Sequence, residues 1–152
     1  MRLTRFTDFA LRLLIDLARE TPGKRTTIAK ASRRLDIPIN HLTKIAHRLA
    51  KANLLKTSRG RSGGLALSRP AESITVGQVV RVTEPDFALV GCMAGQDCSL
   101  APGCGLAPVL DTALMTFLRV TDQATLADIA HSPQRTGTAD SLDPFGEKNP
   151  CG

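Results

Sequence analysis

The chain changes its hydrophobic rhythm near residue 53, and that change constrains its fold more than any other feature. Before it, the apolar residues fall at helical spacing. In residues 4–19, Phe6, Ala10, Leu13, Leu14 and Leu17 share one face, and "ETPG" stops the run. Thr26 or Thr27 caps a second helix, "IAKASRRL", with Ile28, Ala31 and Leu35 on its apolar side. "DIPIN" is a turn, in which Pro38 opens the next helix or precedes its cap, and Asn40 is itself a candidate cap. The third helix, about 40–52, puts Leu42, Ile45, Ala46 and Leu49 on one face and His41, Thr43, Lys44, His47, Arg48 and Lys51 on the other. Then the period shortens. "LLKTS" and "LALS" are short strands joined by a basic, glycine-rich turn, "RGRSGG". Three helices followed by a basic hairpin predict a winged helix-turn-helix: a mainly α fold with a small β-hairpin wing.

The remainder of the chain adds helices to that unit. "TVGQVVRVTE" is a fourth helix capped by Thr75, and "ATLADIA" a short capped one near the end. Between them a long helix runs from Leu106 to about Val120, with Leu106, Leu110, Ala113, Leu114 and Phe117 on one side. So wide a stripe suits pairing with a second subunit; packing on its own domain is the alternative. Residues 132–152, rich in Pro, Gly, Ser, Thr and Asp, are expected to be a disordered tail. The expected organisation is a DNA-binding winged helix-turn-helix domain over 1–84, with the helix-turn-helix at about 28–51 and the wing at about 54–68. A cysteine-bearing loop over 85–105 follows, then a dimerisation helix and short helix over 106–131.

Charge points to the partner. Residues 1–70 hold 16 Lys and Arg against 4 Asp and Glu, whereas residues 71–152 hold 4 against 10. A solvated face mixes its signs, so a basic half of this kind implies a polyanion, with double-stranded DNA ahead of an anionic membrane surface. Asn40, His41, Thr43 and Lys44 near the start of the third helix, with Arg48 farther along, are candidate contacts to base edges and phosphates. Arg59 and Arg61 at the hairpin tip are candidates for the sugar-phosphate chain or the minor groove. Nothing resembles a catalytic site, and a protein-interaction role for the winged unit leaves its charge unexplained. No apolar run is long enough for a membrane span. The first residues, "MRLTRFTDFALRLL", lack the uninterrupted apolar stretch of a signal peptide, so a cytoplasmic location is expected.

Three of the four cysteines lie in "GCMAGQDCSLAPGCG", residues 91–105, at positions 92, 98 and 104. Three accounts compete. They can be incidental half-buried thiols, but their even spacing in a loop without helical or strand period argues against that. A disulfide leaves one thiol over and is disfavoured in a reducing compartment, unless it is a redox switch. Ligation of a metal or cluster fits best, because thiolates hold zinc and iron–sulfur centres and the loop's glycines let it wrap a bulky group. Structural zinc usually takes four ligands in closely paired knuckles, and this spacing is wider. Cys151, near the end, reads as incidental.

Taken together, "MRLTRFTDFALRLL", "RGRSGGLALSRPAESITVGQVVRVTE", the three-cysteine loop and "TLADI" resemble the winged-helix transcription regulators typified by IscR, NsrR and RirA. The resemblance covers roughly residues 1–131. It implies a homodimer whose long helices cross, with an iron–sulfur cluster held by Cys92, Cys98 and Cys104 near the partner's first helix. IscR-like members place a histidine three residues after the third cysteine, where this chain has Ala107. "FTDFALR" and "EPDFALVGC" are similar instead to the NsrR branch. In that branch an aspartate of the first helix completes a [4Fe-4S] cluster across the dimer, and the matching residue is Asp8. From residue chemistry alone, Asp8 reads as a first-turn carboxylate favouring its helix dipole. The implied activity is a repressor that releases operator DNA when nitric oxide attacks the cluster. Two relatives of that reading are an iron-responsive RirA-like repressor and a redox regulator with a [2Fe-2S] cluster. A small cluster-carrying redox protein is the alternative outside regulation.

Overall fold

The computed structural model describes residues 2–21, 23–58, 60, 63–100 and 103–131 of the 152. Arg59 and Arg61, Cys151 and the segment 132–152 lie outside the described residues. Six α-helices and one hairpin occur among those described: α1 (Arg5–Ala18), α2 (Ile28–Leu35), α3 (Ile39–Lys51), β1 (Leu55–Ser58), β2 (Gly64–Leu67), α4 (Val76–Thr83), α5 (Leu106–Gln123) and α6 (Leu126–Ala130). The expected fold class, mainly α with a two-stranded wing, is the one observed.

Local chemistry accounts for most boundaries. Thr4 caps α1 through its hydroxyl, which accepts from the Thr7 N–H. Thr27, not Thr26, caps α2. Thr26 is buried and instead exchanges backbone hydrogen bonds with Leu65, as donor at 3.1 Å and acceptor at 2.7 Å, which adds a one-residue third strand to the wing. That approach requires Gly64, since a Cβ there would stand 2.8 Å from the Thr26 carbonyl oxygen. Asp36 ends α2 in the left-handed region, at φ 53, a conformation that a short polar side chain tolerates. Pro38 occupies the N-cap of α3, so Asn40 lies inside the first turn and is not the cap. The ring has no N–H to leave unsatisfied and its φ suits helix entry. Thr75 and Gln78 form a reciprocal capping box on α4, as Thr125 and Asp128 do on α6.

α1 runs through the centre of the main core. Ala10, Leu13, Leu14 and Leu17 meet Ala31 of α2, Leu42, Ile45 and Leu49 of α3, Leu55 and Leu65 of the hairpin, and Leu126 of α6. A backbone bridge between Thr75 and Thr125 brings α6 beside α4, although a long helix separates them in sequence. A second, smaller cluster joins Val80 to Leu114 and Leu118, with Leu3, Phe87, Leu89 and Met93 against it. It anchors α5 and the start of the cysteine loop to the winged unit. α5 thus divides its apolar stripe: Leu114 is buried and packs on its own domain, while Leu106 remains exposed along with Val109 and Val120. Arg81 and Asp122 form a two-pronged ion pair between α4 and α5, one prong at 2.8 Å. No helix among the described residues is long and apolar enough to cross a membrane.

Candidate cysteine loop and DNA-reading face

The cysteine loop begins where α4 stops. Pro85 follows the Glu84 C-cap and cannot donate to the helix ladder. Cys92 lies in a 3-10 turn, Gly91–Ala94, that Gly95 closes at φ 80, with the Gly95 N–H reaching the Cys92 carbonyl at 3.2 Å. Met93 turns inward onto the small cluster around Val80, which fixes the near end of the loop. At the far end Gly103, at φ 93, precedes Cys104, and α5 starts two residues later. No side chain caps α5.

Cys92 and Cys98 are exposed, Cys104 is half-buried, and all three are free thiols. Asp97 is the single charged side chain between Cys92 and Cys104. Among the described residues no three His, Cys, Asp or Glu side chains are gathered closely enough to hold one metal ion. The donor set fits a thiolate-held iron–sulfur group by chemistry: three accessible soft ligands, without bridging disulfides, in a loop whose glycines at 95 and 103 already take turn conformations. Asp8 lies in the first turn of α1, and its carboxylate pairs with Arg12 one turn on, at 3.0 Å. The aspartate is roughly half exposed, so a contact from outside its own helix can reach it.

Three consecutive residues connect the start of this loop to α3 and to the beginning of α1. Val82 accepts a hydrogen bond from Arg48 Nε of α3, at 2.8 Å. Thr83 accepts from the Thr7 hydroxyl at 2.9 Å, inside the core. Glu84 accepts from the backbone N–H and hydroxyl of Thr4, at 2.9 and 3.1 Å, and so holds the start of α1. Between the amino-terminal segment, Phe87–Val90 and α5 lies a cavity of about 550 Å³, lined by Leu3, Phe87, Leu89, Leu114 and Phe117.

On α3 the candidate DNA contacts separate into two sets. Asn40, Thr43 and Lys44 are exposed on the outer face, and the Thr43 hydroxyl bonds back to the Ile39 carbonyl at 2.9 Å. His41 instead meets the ring of Phe9 edge-on, with centroids 5.9 Å apart. Arg48 is turned to α4 through Nε. On the neighbouring face, Arg34 joins α2 to Asp16 of α1 and to Glu20 just beyond that helix, at 2.5 and 2.7 Å. Hydrogen bonds from Lys24, then Arg34, hold the Glu20 carboxyl below the usual carboxylate range. The links through Val82, Thr83, Glu84 and Phe9 have no local sequence signal, because each joins residues far apart in the chain.

The same order of helices, wing and long helix occurs in solved structures. The oxidised form of Staphylococcus aureus CymR superposes with a TM-score of 0.70 at 20% identity, covering 88% of this chain and 99% of that one. The IscR of T. potens gives 0.68 at 24% identity, over 88% and 93%. At these identities the likeness establishes the fold. The family model Rrf2, described as an iron-dependent transcriptional regulator, matches residues 3–132. The chain belongs to the Rrf2 family. Similar curated relatives include the HTH-type transcriptional regulator NsrR of Bacillus subtilis, 41% identical over 136 residues, which cover 88% of this chain and 93% of that protein. The same-named regulator of Bacillus licheniformis is 44% identical, over 85% and 92%. This Rrf2 member is a transcriptional regulator and not an enzyme.

Proposed function

We propose that this Rrf2 regulator is a cytoplasmic, nitric oxide-responsive repressor that binds operator DNA as a homodimer carrying an iron–sulfur cluster. The observation that carries this reading is a pair of facts: relatives named NsrR match at 41 and 44% identity over most of the chain, and Cys92, Cys98 and Cys104 are free thiols in one loop. The three thiolates and Asp8 of the partner subunit would hold the cluster, [4Fe-4S] ahead of [2Fe-2S]. When bound, such a cluster supplies an iron with one oxygen ligand, less protected against nitric oxide than an all-thiolate iron.

The chain's own residues explain how that state reaches DNA. Asp8 sits one turn beyond Thr4, the residue that Glu84 holds, and Glu84 opens the segment leading to Cys92. A bond from Asp8 to a cluster on the other subunit would tie each first helix to the partner's cysteine loop, and α3 packs directly on α1. The spacing of the two reading helices follows, and two half-sites about one helical turn apart demand one spacing. The exposed strip of α5, Leu106, Val109 and Val120, serves as the dimer seam. Asn40, Thr43 and Lys44 face the duplex, Arg59 and Arg61 of the wing reach its backbone, and His41 and Arg48 seat α3 against α1 and α4.

A second reading, an iron-responsive repressor, is favoured by the family description and uses the same thiols. The test is anaerobic purification with iron and sulfide counts, then titration with nitric oxide while operator binding is followed. The proposal expects a coloured protein that releases DNA with nitric oxide, and an Asp8→Ala variant that folds but loses cluster or response. Unchanged cluster lifetime and unchanged release in that variant contradict the role of Asp8. Release on iron depletion but not with nitric oxide selects the second reading.

A further inference from the structure

The outer face of α3 carries one residue that does not belong on a solvated surface. Ile39, the first residue of the helix, is 52% exposed. The other large apolar residues of α3, Leu42, Ile45 and Leu49, are all fully buried. Ile37, two residues earlier, already fills the adjoining core position at 1% exposure. Ile39 is therefore surplus to the core. It does not line the cavity beside Phe87–Val90. Its neighbours on the outer face are polar: Asn40 beside it, Thr43 one turn on and bonded to its carbonyl, and Lys44. A branched aliphatic side chain surrounded by hydrogen-bonding groups, at the amino-terminal end of the second helix of a helix-turn-helix, matches one feature of duplex DNA. The major groove offers a single apolar group, the 5-methyl of thymine.

We infer that Ile39 is a specificity-determining residue that packs on a thymine 5-methyl group in each operator half-site. The inference rests on the reading of α3 as the helix that enters the major groove. Pro38 at the N-cap fixes where the helix begins, and the Thr43 bond to the Ile39 carbonyl steadies the first turn, so the side chain is presented at a set depth. Cytosine presents a hydrogen where thymine has its methyl, so the contact separates thymine from cytosine without a hydrogen bond. Asn40, Thr43 and Lys44 supply the polar and phosphate contacts around it.

The test uses the full-length protein and a duplex that it enriches from a random-sequence pool. Each thymine is replaced in turn by deoxyuridine, which removes the 5-methyl and nothing else. Losing one buried methyl corresponds to about a fourfold fall in affinity. The wild type is expected to show that fall at one pair of symmetry-related positions. Ile39→Ala should bind the parent duplex more weakly and show no further fall at those positions, while Asn40→Ala keeps the full sensitivity. Ile39→Val, the smaller change, should keep part of it and guards against a general effect on folding, which thermal melting also monitors. The assignment is overturned if no position responds to deoxyuridine, or if the response persists in Ile39→Ala. It is also overturned if Ile39→Ala loses affinity equally for the enriched duplex and a scrambled one. Failure to enrich any duplex sinks the DNA-reading function itself, a different result from enrichment without methyl sensitivity.

Discussion

Arg48 allows the sharpest separation between holding the reading helix and touching DNA. Sequence places it on the polar face of α3, whereas its Nε donates to the Val82 carbonyl at 2.8 Å, across to α4. A hydrogen bond from a charged donor contributes roughly 1.5–3 kcal/mol when shielded from water. The Arg48 side chain is exposed, so the contribution falls to about 0.5–1 kcal/mol. Arg48→Ala should therefore lower the melting temperature by roughly 1–4 °C for a domain of this size. A phosphate contact has a different signature, a fall of about 0.9 in the slope of log affinity against log salt. Over a fourfold rise in salt, that is about a 3.5-fold difference in affinity. We expect Arg48→Ala to melt earlier with its salt slope unchanged, and Lys44→Ala to show the reverse. Thermal melting and fluorescence anisotropy on operator and scrambled duplexes, at several salt concentrations, read both quantities. A reduced slope with unchanged melting in Arg48→Ala would refute the reasoning.

Three further outcomes follow from the packing. Leu114→Ala should cost about 2–3 kcal/mol, because it opens the small cluster that seats α5 on α4, and denaturant unfolding measures it. Gly64→Ala should weaken the wing, since its methyl must push the Thr26 strand away; backbone amide exchange at Leu65, normally bonded to the Thr26 carbonyl, should speed up while α5 amides stay protected. The Arg81 guanidinium holds the Asp122 carboxyl below its ordinary range. A depressed folded-state value means that the pair stabilises the fold above the unfolded carboxylate range and loses that effect as pH falls through the folded value. The gap in urea midpoint between wild type and Asp122→Asn should accordingly be present at neutral pH and close below about pH 4. A gap that persists in acid contradicts the ion-pair account.

The fold was largely legible because its signals are local. Thr75 with Gln78 and Thr125 with Asp128 announce helix starts over three residues, and the glycine-rich turn announces the wing. Pro38 rather than Asn40 begins α3, and Thr27 rather than Thr26 caps α2, because neighbouring residues offer similar caps and tertiary bonding decides between them. Long-range contacts were not legible. No spacing rule connects Arg48 with Val82, Thr4 with Glu84, or His41 with Phe9; each depends on how α1, α3 and α4 pack. The division of the α5 stripe is similar: periodicity marks the apolar face, but only packing on Val80 shows that Leu114 belongs to its own domain. At the site, the three cysteines stand out by type and spacing, whereas Asp8 reads by its own chemistry as a first-turn carboxylate and became a ligand candidate only through the family resemblance.

The most direct test of the account compares operator affinity for one anaerobic preparation before and after its cluster is removed, with iron and sulfide counted on both samples. The account predicts a coloured protein whose affinity collapses once it is stripped, and a Cys98→Ser variant that starts in the stripped state. A colourless preparation, or a stripped dimer that holds its operator as tightly as before, contradicts it.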